Sequence, residues 1–157
     1  MDPTLPASAR ETLAALRSRR LSACELIDAT IERLAASTLG AVELLDESGA
    51  RRQAEHADAA IAAGRSGALA GLPIVVKDVI DVARLPTRGG TARWRRLPER
   101  DADCVAALRR AGAIVLGKAH TNELAFGIDG RNPHRPDRKS TRLNSSHLRT
   151  SRMPSSA

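Results

Sequence analysis

Apolar positions follow a helical period in the first third of the chain and gather into β-branched runs after it. Leu26, Ile27, Ile31 and Leu34 form a single stripe at helical spacing, suited to packing on a larger body. Ser22 and Glu25 stand just before that stripe as an S-x-x-E capping box, and Ser8 with Glu11 repeats the pattern upstream. In such a box the hydroxyl and the carboxylate satisfy backbone N–H groups that a helix start leaves without partners, so two helices are predicted to begin there. A third, over about 50–63, carries Ala54, Ala57 and Ile61 on one face and stops at Gly64.

The pattern then changes period. Leu72 to Ile80 is almost continuously apolar and β-branched, as a strand buried on both faces would be, with Pro73 tolerable at its first position. Residues 83–100 hold Pro86, Gly89, Gly90 and Pro98 and read as a long loop. Asp101 or Asp103 is expected to cap a short helix bearing Val105 and Leu108, which ends at Gly112 and leads into the run Ala113 to Leu116. Strand, loop, helix, strand predicts an α/β fold with a parallel or mixed sheet covered by helices. No internal repeat is visible. From Asp137 onward serine, threonine and arginine dominate without periodicity, and residues 137–157 are expected to be disordered.

Composition narrows the classes. With 157 residues the chain has room for one ordinary domain, and 42% apolar with 27% charged residues is the balance of a folded protein. The net charge of +7 invites a nucleic-acid reading, in which the arginine-rich loop 84–100 and the basic tail would contact phosphates. Five basic residues and one acid after position 136 supply +4 of it, however, and one Trp, one Phe and no Tyr leave no stacking platform for single strands. Nucleic acid is therefore the lesser alternative. The first residues carry no basic-then-apolar leader, and the longest uncharged apolar run, Gly67 to Val76, is too short to cross a bilayer, so a cytoplasmic protein without membrane contact is expected. Cys24 and Cys104, both in predicted helices, read as small buried hydrophobes. His56, His120, His134 and His147 lack zinc-like spacing, so no metal is expected, and nothing calls for a cofactor.

Only three of the 25 basic residues are lysines, which draws notice to Lys77 inside the β-branched run. Burial of an ammonium is costly and either depresses its pKa or demands a partner. Two readings stay open on these residues: a general base for a hydroxyl nucleophile, or a strand-end lysine paired with a carboxylate such as Asp78. Lys118, after Gly117 at the next strand's end, reads as a structural partner, and Thr121, Asn122 and Glu123 lie beyond that strand's carboxyl edge, where α/β sheets place binding groups. Gly89-Gly90 reads as a turn.

Two ordered blocks alter the balance. Gly71-Leu72-Pro73-Ile74-Val75-Val76-Lys77-Asp78, with Ile80-Asp81-Val82 and Leu85-Pro86-Thr87 after it, resembles the lysine segment of the amidase signature family. Ala111 to Lys118, continuing through Thr121-Asn122-Glu123-Leu124-Ala125-Phe126-Gly127 and Asn132-Pro133-His134, is similar to that family's next block. The resemblance implies residues 1–136 as the N-terminal portion of an amidase domain, a small-molecule amide as substrate, and hydrolysis by a serine nucleophile acting through a second serine held by a cis peptide. Lys77 matches the family's base, and Asp78 and Glu123 would support it. The family's glycine-flanked serines have no match here, since Ser145, Ser146, Ser151, Ser155 and Ser156 lack flanking glycines, so the nucleophile and the cis-serine are absent and the chain is expected to be inactive alone. The amidase-like subunit of a tRNA-dependent amidotransferase fits the same blocks. The departure begins at Arg135, and residues 137–157 look like translated adapter or vector sequence, an expectation that resequencing codons 134–140 tests.

Overall fold

The computed structural model describes residues 5–127, 130 and 132–134; the expected tail, 137–157, lies outside them. Helix α1 spans Ala9–Arg17 and α2 spans Ala23–Ala35. Both start where the capping patterns put them: the Ser8 hydroxyl accepts from the Glu11 N–H, and Ser22 with Glu25 forms the complete box. A cap invisible in the local sequence is added at α2, where Asp58 accepts from the N–H groups of Ala23 at 2.7 Å and Cys24 at 3.1 Å.

Strand β1, Val42–Leu45, was not expected. It is four residues long and half-buried throughout, too short to show a period. Helix α3 runs Glu47–Ala62 and starts before the expected position 50 because Asp46 caps it, accepting from the Gly49 N–H at 3.0 Å. Strand β2 is Pro73–Lys77, helix α4 is Asp103–Arg110 and strand β3 is Ile114–Ala119. Neither Asp101 nor Asp103 caps α4: Ala102 holds the cap position without a side-chain bond, and Asp101 accepts from the Ala83 N–H at 2.7 Å while pairing with Arg109 at 3.1 Å. Loop closure has claimed the carboxylate that local sequence assigned to the helix.

The sheet order is β1-β3-β2, with β1 antiparallel and β2 parallel to β3, so the sheet is mixed and only β3 is central. Its two faces differ. Ile114 and Leu116 pack with Leu16, Leu26, Ile27, Ile31, Ala50 and Ala54 from α1, α2 and α3. Val115 packs on the other face with Val76, Val82 and Val105. The expectation that β2 is buried on both faces is corrected for the described residues: among them β2 lies at the edge of the sheet, and Val75 is 43% exposed.

The register contains one irregularity with large consequences. Ile74 pairs with Val115 but Val75 pairs with Gly117, so Leu116 is an extra residue on β3. Strict alternation would turn Lys118 toward the helices with Ile114 and Leu116. The bulge instead sets Lys118 opposite Val76, on the face of Val115. Gly117 is required beside it, because a Cβ there would run into the Leu44 carbonyl oxygen of β1.

Candidate active site

Lys77 closes β2 opposite Ala119, at the carboxyl edge of the parallel pair. Its side chain is exposed, which corrects the expectation of a buried lysine; β2 is an edge strand, and alternation points residues 75 and 77 away from the packed face. The buried lysine is Lys118, at 0% exposure. Its ammonium lies 3.3 Å from the Asp78 carboxylate, donates to the Thr87 hydroxyl at 2.8 Å and reaches the Pro86 carbonyl at 3.4 Å. Burial lowers the pKa of Lys118, and the charge of Asp78 opposes that shift. The carboxylate considered for Lys77 thus belongs to Lys118, as the structural reading of Lys118 anticipated. Among the described residues the Lys77 ammonium has no ion-pair partner.

Asp78 is 1% exposed and organises the loop that follows. Its side chain accepts from the N–H groups of Arg88 at 3.4 Å and Gly90 at 3.3 Å, and its carbonyl accepts from Gly89 at 3.0 Å. Gly89 and Gly90 form the expected turn, with φ of 62° and 70°. At Gly90 a side chain is excluded on steric grounds as well, since a Cβ would stand 2.7 Å from the Asn132 amide nitrogen and 2.8 Å from the Thr121 carbonyl. Asn132, buried, donates to the carbonyls of Gly90 at 2.6 Å and Thr121 at 2.9 Å, tying this turn to the segment after β3.

Glu123 sits in that segment, in a short turn Glu123–Ala125 where Leu124 and Ala125 have φ of 50° and 59°. The Leu124 N–H donates to the Gly89 carbonyl at 2.6 Å, so the Glu123 turn rests on the turn that Asp78 holds. Hydrogen bonding from Thr91, and then from His134 at 2.9 Å, keeps the Glu123 carboxyl below the usual carboxylate range. Lys77, Asp78 and Glu123 therefore belong to one end of the sheet, Asp78 as a buried anchor and Glu123 as a half-exposed member of the second loop. Sequence reasoning missed Thr87 and Asn132 as the groups that join these loops; their signal was only their place inside the two blocks.

The loop 83–100 is ordered by its own pairings: Thr87 and Arg96 exchange backbone hydrogen bonds of 2.9 and 3.0 Å. Two of its arginines are engaged internally, Arg88 with Glu43 at 3.3 Å and Arg96 with Asp81, the Arg96 guanidinium also lying 5.8 Å from the Trp94 ring centroid. Cys104 is exposed on α4, contrary to the expectation of burial, and Cys24 is half-buried. No group of three or more His, Cys, Asp or Glu among the described residues is arranged to hold a metal ion, and no described helix is long and apolar enough to cross a membrane.

A mixed sheet with a lysine at the carboxyl edge of its parallel pair, followed by a glycine turn locked on the next aspartate, is the arrangement on which comparison with known proteins bears. The chain belongs to the amidase family, whose profile matches residues 25–141. It is 40% identical over 129 residues to a glutamyl-tRNA(Gln) amidotransferase subunit of Roseiflexus castenholzii, covering 80% of this chain and 26% of that protein. It is 35% identical over 128 residues to an amidase of Pseudomonas putida, covering 78% of this chain and 28% of that one. The structure of native peptide amidase from Stenotrophomonas maltophilia superposes with a TM-score of 0.72 at 31% identity, over 78% of this chain and 26% of the other. The chain thus spans about a quarter of the length of the relatives it matches.

Proposed function

We propose that this chain is the lysine-bearing part of an amide (C–N) hydrolase of the Ser-cisSer-Lys type, with Lys77 as the general base. One observation supports the role above the rest: the Lys77 amine is exposed at the carboxyl edge of the parallel strands, while the adjacent carboxylate is engaged by Lys118. With no carboxylate among the described residues to hold it as the ammonium, Lys77 in its neutral amine form would accept the proton that a serine hydroxyl gives up as it attacks the amide carbon, becoming the ammonium that later returns the proton to the leaving amine. The segment supplying the serines would approach from this open edge. The substrate is a small-molecule amide, as the names of the amidase and mandelamide hydrolase of Pseudomonas putida suggest.

The chain on its own contributes a base without a nucleophile, so the purified 157 residues are expected to show no amide hydrolysis. Turnover by that chain, abolished by Lys77→Ala, would overturn the inactivity. In the whole protein Lys77→Ala should lower kcat/KM by about a thousandfold or more, as loss of a member of a catalytic triad does. Unchanged activity would remove Lys77 from the mechanism.

A second reading has a specific observation behind it: the 40% identity to glutamyl-tRNA(Gln) amidotransferase subunits of two organisms. In that reading the whole protein works beside partner proteins. Its co-purification with them, against migration as a free hydrolase, separates the two.

A further inference from the structure

Two opposite charges buried at 0% and 1% exposure are a costly way to join a strand to a loop, since an apolar pair of similar volume often holds a fold as well or better. What the charges accomplish, and an apolar pair cannot, is direction. The Lys118 ammonium offers three donors, and its contacts are the Thr87 hydroxyl, the Pro86 carbonyl and the Asp78 carboxylate. The carboxylate, held by the ammonium, receives the N–H groups of Arg88 and Gly90. Five consecutive residues, 86–90, are therefore tied to this one pair or to the Asp78 backbone, and each tie has a defined geometry. The pair acts next to the proposed base, because Asp78 is bonded to Lys77 and its own N–H donates to the Ala119 carbonyl at 3.1 Å, across from Lys77 in the register.

We propose that Lys118, through its ion pair with Asp78, is a positioning residue for the Lys77 site: it locks residues 86–90 and the Asp78 backbone onto the carboxyl edge of β2 and β3 and thereby fixes the strand end from which the Lys77 side chain extends. This rests on the reading of Lys77 as the base. The bulge at Leu116 is part of the device, since without the extra residue Lys118 would face the helices and Asp78 would be left alone. The second loop inherits the lock, because Leu124 donates to Gly89 and Asn132 donates to Gly90. A displacement of residues 86–90 would therefore also move the Glu123 turn.

The test has two arms. In the 157-residue chain, amide hydrogen exchange is followed at Arg88 and Gly90 and referred to the amides of α2 and α3. Lys118→Met should accelerate Arg88 and Gly90 about tenfold or more relative to those helices, because opening becomes local. Thr87→Val, which keeps the shape and the charge pair but removes the hydroxyl, should give a smaller local acceleration; it decides the matter should Lys118→Met fail to fold. Exchange that is unchanged, or that rises equally everywhere, overturns the lock. In the whole protein, Thr87→Val and Lys118→Met should lower kcat with KM changed less than about threefold, as expected when a group is misplaced and not unbound. Local loosening with kcat intact would leave the lock purely structural and overturn the positioning role. If Lys77→Ala proves harmless, the assignment of the base fails by itself, and the exchange arm still reports on the lock.

Discussion

The two faces of β3 are held together by different physics. Toward α1, α2 and α3 the core is a large apolar cluster, built from Leu16, Leu26, Ile27, Ile31, Ile114 and Leu116 with alanines that let the helices approach closely, and its polar ties, Gln53 to the Val115 backbone and Asp58 to the start of α2, lie at its margin. Toward the loop side the apolar cluster is small, four buried valines, and beside it lie Lys118, Asp78 and Thr87 with almost no solvent contact. An apolar face stabilises in proportion to area and tolerates small shifts, while a buried polar network is worth little unless each member is satisfied and then holds its parts in one geometry. The difference marks the loop face as the one on which position matters.

Several substitutions would break or sharpen that contrast. Lys118→Met should cost about 4 kcal/mol in urea unfolding, because a buried carboxylate loses its counter-charge. Adding Asp78→Leu should return most of that stability while leaving the Gly90 N–H without its acceptor, so that recovered stability with fast local exchange would separate geometry from stability. Failure of the double variant to recover would mean that the pair is mainly a stabilising contact. On the helical face, Ile27→Ala should cost about 3 kcal/mol by leaving a cavity, with no preferential exchange at Gly90. Ser22→Ala should cost only about 1 kcal/mol, because it removes one cap while Asp58 still serves the same helix start.

The remaining effect is one of pH and belongs to the helical side. Burial first, then the hydrogen bond and charge of Asp58, push the Cys24 thiol up to about 11 from an ordinary 9.0. The folded chain thus holds this proton more tightly than the unfolded one, so the contribution to stability is complete below pH 9 and is lost as the pH rises through about 11. Comparing the parent with Cys24→Ala across that interval should show the stability difference shifting against the parent as pH rises; a constant difference would rule the linkage out.

Much of the helical side was readable from spacing and caps. Ser8 and Ser22 begin helices in the structure as they do in the pattern, and the stripe through Ile27 and Ile31 is the buried one. The blocks around Lys77 and Lys118 were also readable, and they led to the family that the comparisons show. The buried lysine was anticipated in kind and misplaced in position. A β-branched run looks alike whether its strand is central or at an edge, so Lys77 read as enclosed although, among the described residues, β2 has a neighbour on one side only. Strand β1 escaped notice because four half-buried residues carry no period.

Local chemistry, then, is written in nearest neighbours: a hydroxyl three residues from a carboxylate, an apolar side chain every third or fourth position, two glycines where the chain must turn. Which carboxylate faces which ammonium is not local. Asp78 and Lys118 are forty residues apart in sequence and meet because one extra residue on β3, admitted by a glycine under the Leu44 carbonyl, rotates Lys118 from the helical face to the loop face. Side chains alternate with a period of two along a strand, so a single inserted residue reverses the destination of everything after it, and only the pairing of strands reveals where that insertion falls.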